Sequence, residues 1–174
     1  MPDVPAPSRL PASLRLVAES GDLDLLRSHL KVHYRRLGPR SRRLRFLGDP
    51  PAETLDRLAD RAEPELLLEL VEEGAVRAVL EAHATTPGHV EVAISVEDGF
   101  QGRGLGRALF EEGLRVLALR GVRTADLYCL RENAALLHLV AGTGARLRWD
   151  GGEVHVEIDL GRVLAALEPA PLAA

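Results

Sequence analysis

Apolar residues recur along this chain with two different periods. Gly21 and Asp22 precede a segment in which Leu23, Leu26, Leu30 and Leu37 fall near one face of a helix. Leu14 to Val17 before it reads as a short strand, and Leu37 to Pro51 after it reads as a polar connection rich in arginine. Pro51 to Asp60 predicts a second short helix with Leu55 and Leu58 apolar. From Glu65 the period becomes two. Glu65 to Glu72 is a strand, and Glu73 and Gly74 form a hairpin turn into a strand over Val76 to Thr85. There Val76, Ala78, Leu80, Ala82 and Ala84 oppose Arg77, Val79, Glu81, His83 and Thr85. Past Thr86, Pro87 and Gly88, the strand His89 to Val96 sets Val90, Val92, Ile94 and Val96 against His89, Glu91, Ala93 and Ser95.

A glycine-rich turn then opens a helix near Gly104 that runs through Leu109, Val116 and Leu117 and ends at Gly121. Arg123 to Leu130 is a strand, and Asn133 to Thr143 is a helix closed by Gly144. Ala145 to Trp149 and Glu153 to Leu160 make a last hairpin around Asp150, Gly151 and Gly152. The order β α α β β β α β α β β demands a mixed, mostly antiparallel sheet in an α+β fold with flanking helices. Residues 1–12, with four prolines, read as a flexible arm, 13–160 as one domain, and 161–174 as a tail.

The junction of strand and helix carries the chemistry. A strand that ends in glycines and feeds a helix points several backbone N–H groups at one spot, where the helix dipole adds positive charge. Gly102, Gly104 and Gly106 allow close backbone approach, and Arg103 and Arg107 add full charges. The physics indicates an anion site, most simply a phosphate or pyrophosphate. The glycine spacing fits neither the dinucleotide fingerprint nor a Walker loop.

Composition narrows the function classes. The chain has 174 residues, of which 46% are hydrophobic, enough for one domain with a core. A net charge of −4 argues against a general nucleic-acid binder. No signal peptide or bilayer-length apolar run stands in the sequence, so a cytoplasmic protein without a membrane partner is the expectation. Cys129 is the single cysteine and reads as a buried strand thiol. His29 and His33 are spaced i, i+4 but have no third ligand, so no metal site is assigned. His83 and His89 flank one turn and read as surface residues.

Gln101, Gly104 and Gly106, with the strand before them and the long helix after, resemble the Gln/Arg-x-x-Gly-x-Gly/Ala signature of the GCN5-related N-acetyltransferases. That resemblance implies the GNAT acyl-CoA N-acyltransferase fold over roughly residues 13–160. It implies acetyl-CoA as acyl donor, with its pantetheine meeting backbone groups of Ile94 and Val96, and with Ser95 between them also at the cofactor. Gln101, Gly102, Arg103, Gly104, Leu105, Gly106 and Arg107 would hold the pyrophosphate, and Asn133, an N-cap by position, would also touch the cofactor. Glu91 is the candidate general base, since aminolysis needs a neutral amine and relatives carry a Glu-x-Ala pattern that Glu91, Val92 and Ala93 fit loosely. A solvated strand glutamate is the plain alternative.

Two departures stand out. The tyrosine that protonates the leaving thiolate in many members is Val140 here, and Tyr128 reads as packing. The Gly-Phe ending of the helix is Gly144-Ala145. Leu37 to Phe46 is similar to a Leu-Ser-x-x-Ser-x-x-x-Arg-Phe stretch of bacterial Pat-type protein-lysine acetyltransferases, with Ser41, Arg45 and Phe46 matching and Gly38 in place of the first Ser. The implied function is direct acetyl transfer to a primary amine, either a protein lysine or a small molecule. An acyl-CoA sensing domain without turnover and a nucleotide-binding module of another fold are the rivals. The acceptor is left open, as is a homodimer.

Overall fold

A computed structural model describes residues 14–16 and 22–167. The expected N-terminal arm lies outside them. Seven strands form one sheet in the order β1-β2-β3-β4-β5-β7-β6. They are β1 (Leu14–Leu16), β2 (Leu66–Glu72), β3 (Ala75–Thr86), β4 (His89–Val96), β5 (Thr124–Leu130), β6 (Arg146–Asp150) and β7 (Glu153–Asp159). Only β4 and β5 pair in parallel. The mixed α+β architecture expected from the sequence is the one found.

Local chemistry explains most elements. Asp22 caps α1 (Leu23–Arg36) by accepting from Leu25 N at 2.9 Å, and Leu26, Leu30, His33 and Tyr34 form its buried stripe. Glu73 and Gly74 both take positive φ, the conformation that a two-residue hairpin requires. One face of the sheet packs α4 (Leu105–Leu119), α5 (Ala134–Val140) and α6 (Leu160–Leu167) into the main core. A built Cβ on Gly113 of α4 would stand 2.6 Å from Leu80 Cδ1, so glycine there sets how closely that helix lies on β3. On the opposite face, α1 and α3 (Ala52–Asp60) close a second cluster over Leu67 and Val79.

Three expectations need correction. The connection from Leu37 to Pro51 contains a helix, α2 (Pro39–Phe46). Its first turn is held by a distant side chain, because Asp98 accepts from Gly38 N at 2.8 Å and from Ser41 Oγ at 3.0 Å. Residues 161–167 are not a tail. Leu160 is fully buried and begins α6, whose Val163 and Leu164 pack on the main core, while 168–174 lie outside the described residues. Finally, the β2–β3 register slips between Leu70 and Val71, so Val76 packs in the same cluster as Val79.

Candidate active site

The site exists because two neighbouring strands part. β4 and β5 are in register only at His89–Thr124, Val90–Ala125 and Glu91–Asp126. Beyond Glu91 they are no longer paired, and a cleft of about 380 Å³ lies along the unpaired end of β4. Ile94, Ser95 and Val96 line it from β4, Asn133, Leu136 and Leu139 from the α5 side, and Ser41, Leu44 and Arg45 from α2. Its end is the glycine turn, where Gln101, Gly102, Gly104, Leu105, Gly106 and Arg107 all face the cleft.

The turn is built to leave donors free. After a short 3-10 turn, Asp98–Phe100, Gly102 and Gly104 take φ of +74° and +81°. Gly104 is the N-cap of α4, and no side chain caps that helix. The first-turn N–H groups of a helix have no partner within it, so here they remain available on the cleft side. A built Cβ on Gly106 would lie at ordinary contact, 3.5 Å, from Val96 Cγ2.

Two expected contacts take a different form. The Gln101 amide donates to Val96 O and to Ser41 Oγ, each at 3.0 Å, so this side chain ties the end of β4 to α2. Arg103 does not line the cleft. Its guanidinium lies 3.5 Å from Glu72 and over the Phe100 ring. Arg107 does line it and sits 3.5 Å from Glu111. Asn133 caps α5, accepting from Leu136 N at 3.1 Å, and borders the cleft as well.

The α2 wall rests on a buried ion pair that sequence reasoning missed. Arg45 donates to Glu81 Oε1 at 2.7 Å, and the Tyr34 hydroxyl donates to the same oxygen at 2.7 Å. Burial alone would raise the Glu81 carboxyl. The Arg45 charge and hydrogen bonds from His83, Arg45 and Tyr34 outweigh it and hold the group at about 2. Burial and Glu81 together push the Tyr34 phenol far above its ordinary value.

His33, on α1, shares a 2.9 Å hydrogen bond through Nε2 with Ser95 Oγ, and its Nδ1 has no hydrogen-bond partner among the described residues but lies 4.0 Å from Glu97 Oε1. Burial pulls this imidazole from 6.5 down to about 4, although Glu81 pulls it upward. Below pH 6.5 the unfolded chain therefore binds a proton that the folded chain refuses, and stability falls as pH drops. Between pH 6.5 and 5, above the range where Glu81 titrates, the loss should be about 2 kcal/mol. Denaturant unfolding of wild type and His33→Gln across that window measures it, and the variant should show a flatter profile. An identical slope in both would assign the pH dependence elsewhere.

Glu91 is exposed and stands on the last residue pair before the strands part, three residues before Ile94, where the lining of the cleft begins on β4. His83 on β3 and Asp126 on β5 are its cross-strand neighbours. Val140 is buried in the core, so no phenol stands at that position, whereas His138 on α5 lines the cleft. Tyr128 is not core packing; it is exposed and stacks on His155. Cys129 is fully buried, with its thiol pushed up by burial. The histidine pair on α1 is divided, since His29 Nδ1 lies 2.9 Å from Glu69 Oε1 while His33 turns to Ser95.

The profile of the Acetyltransferase (GNAT) family matches residues 33–144, a span that starts at the buried histidine of α1 and ends at the glycine after α5. The chain belongs to the GNAT family. A mycothiol acetyltransferase of Tsukamurella paurometabola is 44% identical to this GNAT chain over 73 residues, which are 42% of this chain and 23% of that protein. The chain thus matches under a quarter of that relative's length. The GNAT domain of S. lividans PAT superposes with a TM-score of 0.65 at 23% identity, covering 84% of this chain and 89% of that one. PaiA N-acetyltransferase from Thermoplasma acidophilum, solved in complex with coenzyme A, gives a TM-score of 0.55 at 14% identity over 85% and 99% of the two chains. At these identities the two structures share the GNAT fold.

Proposed function

We propose that this chain transfers an acetyl group from acetyl-CoA directly to a primary amine, with Glu91 as general base. The observation that carries this reading is the uncapped start of α4 at Gly104, turned into a cleft lined by Ile94, Ser95 and Val96 of β4, the strand that also bears Glu91. That set of donors suits the donor molecule. Backbone N–H groups from Gly104 to Arg107 hold a pyrophosphate, aided by the helix dipole and the Arg107 charge. β4 beyond Glu91 has a strand partner on one side only, and by strand alternation Ile94 and Val96 turn their backbone groups to the open side, where pantetheine amides would bind, with the Val96 carbonyl already accepting from Gln101. Leu136 and Leu139 supply an apolar wall, and Asn133 borders the same space.

When bound, acetyl-CoA supplies the activated thioester. The chain's own tasks are then to hold the amine at Glu91 and to remove its proton. Glu91 accepts that proton at a carboxylate oxygen, directly or through one water. As the C–N bond forms the C–S bond breaks and CoA leaves as a thiolate; Val140 offers it no proton, so solvent supplies one. That feature favours a second reading, an acyl-CoA sensing domain without turnover. No helix of the described residues is long and apolar enough to cross a membrane, and we place the activity in the cytoplasm.

Thermal unfolding separates the donor classes. CoA and acetyl-CoA should raise the midpoint, because a ligand that binds only the folded state stabilises it, and NAD should not. Gly106→Val keeps helical backbone and adds a side chain on the cleft side, and it should weaken CoA binding at least about tenfold. Stabilisation by NAD alone would end this reading. Acetyl transfer to a panel of amines then distinguishes the enzyme from the sensing domain.

A further inference from the structure

The α1–α3 side of the sheet is covered only in part. Helices α1 and α3 lie over β2 and β3, and α2 reaches across β4 to β5. Among the described residues no helix covers the same side of β7 and β6, where His155 and Glu157 are half-buried and every residue of β6 is exposed. Strand register puts a polar row on this side. Asp126 is the β5 partner of Glu91, Tyr128 lies two residues further along, and His155 and Glu157 stand opposite them on β7. The alternate residues, Leu127, Cys129, Val154 and Val156, point into the core.

Within that row one aromatic side chain is braced from behind. Tyr128 and His155 stack with ring centroids 4.8 Å apart and planes 12° from parallel. The imidazole is fixed in turn by Asp126, with His155 Nε2 2.6 Å from Asp126 Oδ1. Tyr128 nevertheless keeps 46% of its surface exposed, although it is one of the few large aromatics the chain possesses. β5 lies between β7 and β4, so His155 covers one ring face and the free face is on the β4 side. There β4 carries Glu91 and the small Ala93. A rigid ring, half open to solvent beside a base, has the form of a binding wall rather than of core packing.

We propose that Tyr128 is the acceptor-binding wall, and that the acceptor is an alkylammonium group with no carboxylate next to its nitrogen. The inference rests on Glu91 being the base. The free ring face attracts a cation and packs its methylene stem. Glu91 and Asp126 draw the nitrogen to the place where its proton is removed. A free α-amino acid would bring its own carboxylate against these two groups. The nearby cations are already engaged: Arg45 by Glu81, and Arg146 and Arg148 by Glu157 at 3.1 and 3.9 Å. His155 acts through the ring and is a positioning residue, while Asp126 both holds His155 and adds its charge beside Glu91.

The test uses the full chain, n-hexylamine, a lysine peptide with blocked termini, and free alanine. Acetyl transfer is followed by steady-state kinetics, and hexylamine binding to the CoA complex is followed by calorimetry, which needs no turnover. Hexylamine, the peptide or both should be acetylated, with kcat/KM at least about tenfold above that of alanine. The arm used better identifies the acceptor as small molecule or protein. Tyr128→Ala should raise amine KM and Kd at least about fivefold with CoA affinity unchanged, while Tyr128→Phe stays close to wild type, because the ring and not the hydroxyl does the binding. Unchanged amine KM and Kd in Tyr128→Ala, equal damage in Tyr128→Phe, or efficient use of alanine would overturn the wall. Amine binding that depends on Tyr128 but leads to no transfer would support the wall and remove the transferase reading. Absence of amine binding by the wild type would overturn the inference.

Discussion

Glu91→Gln should lower kcat by about 10²-fold or more while CoA affinity stays near wild type. The substitution keeps the size of the side chain and removes only the proton acceptor. At ~3.3 Å per residue, Glu91 lies roughly 16 Å along β4 from Val96, too far to touch a pyrophosphate held at the glycine turn. The effect should therefore fall on turnover and not on donor binding. Raising the pH should restore part of the loss, because more of the amine is then already neutral. Glu81 is a poor substitute, since it is buried, bonded to Arg45 and Tyr34, and held at about 2. Wild-type kcat with the same pH profile in Glu91→Gln would move the base to His83 or to a chain of waters.

Arg45→Met should destabilise the fold by about 3–5 kcal/mol, because it strands the Glu81 carboxylate in the core without its counter-charge. For a chain of this size that corresponds to a midpoint lower by about 10 °C. The double variant Arg45→Met, Glu81→Gln should recover much of the loss, since no buried charge is left unpaired. Thermal unfolding of wild type, both single variants and the double variant measures the coupling. Additive losses would show that the pair carries little energy of its own. The ion pair also titrates with the fold. Its depressed carboxylate contributes stability above the ordinary Glu value of 4.5, and that contribution drains away as pH falls from there toward 2.

What the sequence revealed was whatever its neighbours determine. The glycine turn, the hairpin at Glu73 and Gly74, and the caps of α1 and α5 are written within a few residues of where they act. The α2 helix is not. Its string of arginines has no buried face, and its start is tied down through Gly38 and Ser41 by Asp98, about sixty residues away. The tail became α6 for a related reason. The strand pattern ran through Leu160, which hid that Leu160, Val163 and Leu164 share one helical face. Gln101 belongs to the turn, as its local pattern implies. Its bonds to Val96 and Ser41 depend on α2 lying alongside, which no local pattern announces. The same limit hid the Tyr128, His155 and Asp126 assembly, because it requires the register of two strands some thirty residues apart.

Where β4 and β5 separate, the molecule keeps an edge strand in its interior. Edge strands elsewhere are hazards, because any second chain can pair with their free backbone groups. Here α2 stands on one flank and α5 on the other. An extended molecule thinner than a polypeptide strand can slide in and complete the ladder, in the manner of β-augmentation, while a neighbouring protein is shut out. The two helices that shape the cleft thus also stand over the unpaired backbone of β4, and the buried Arg45–Glu81 pair ties α2 in that position.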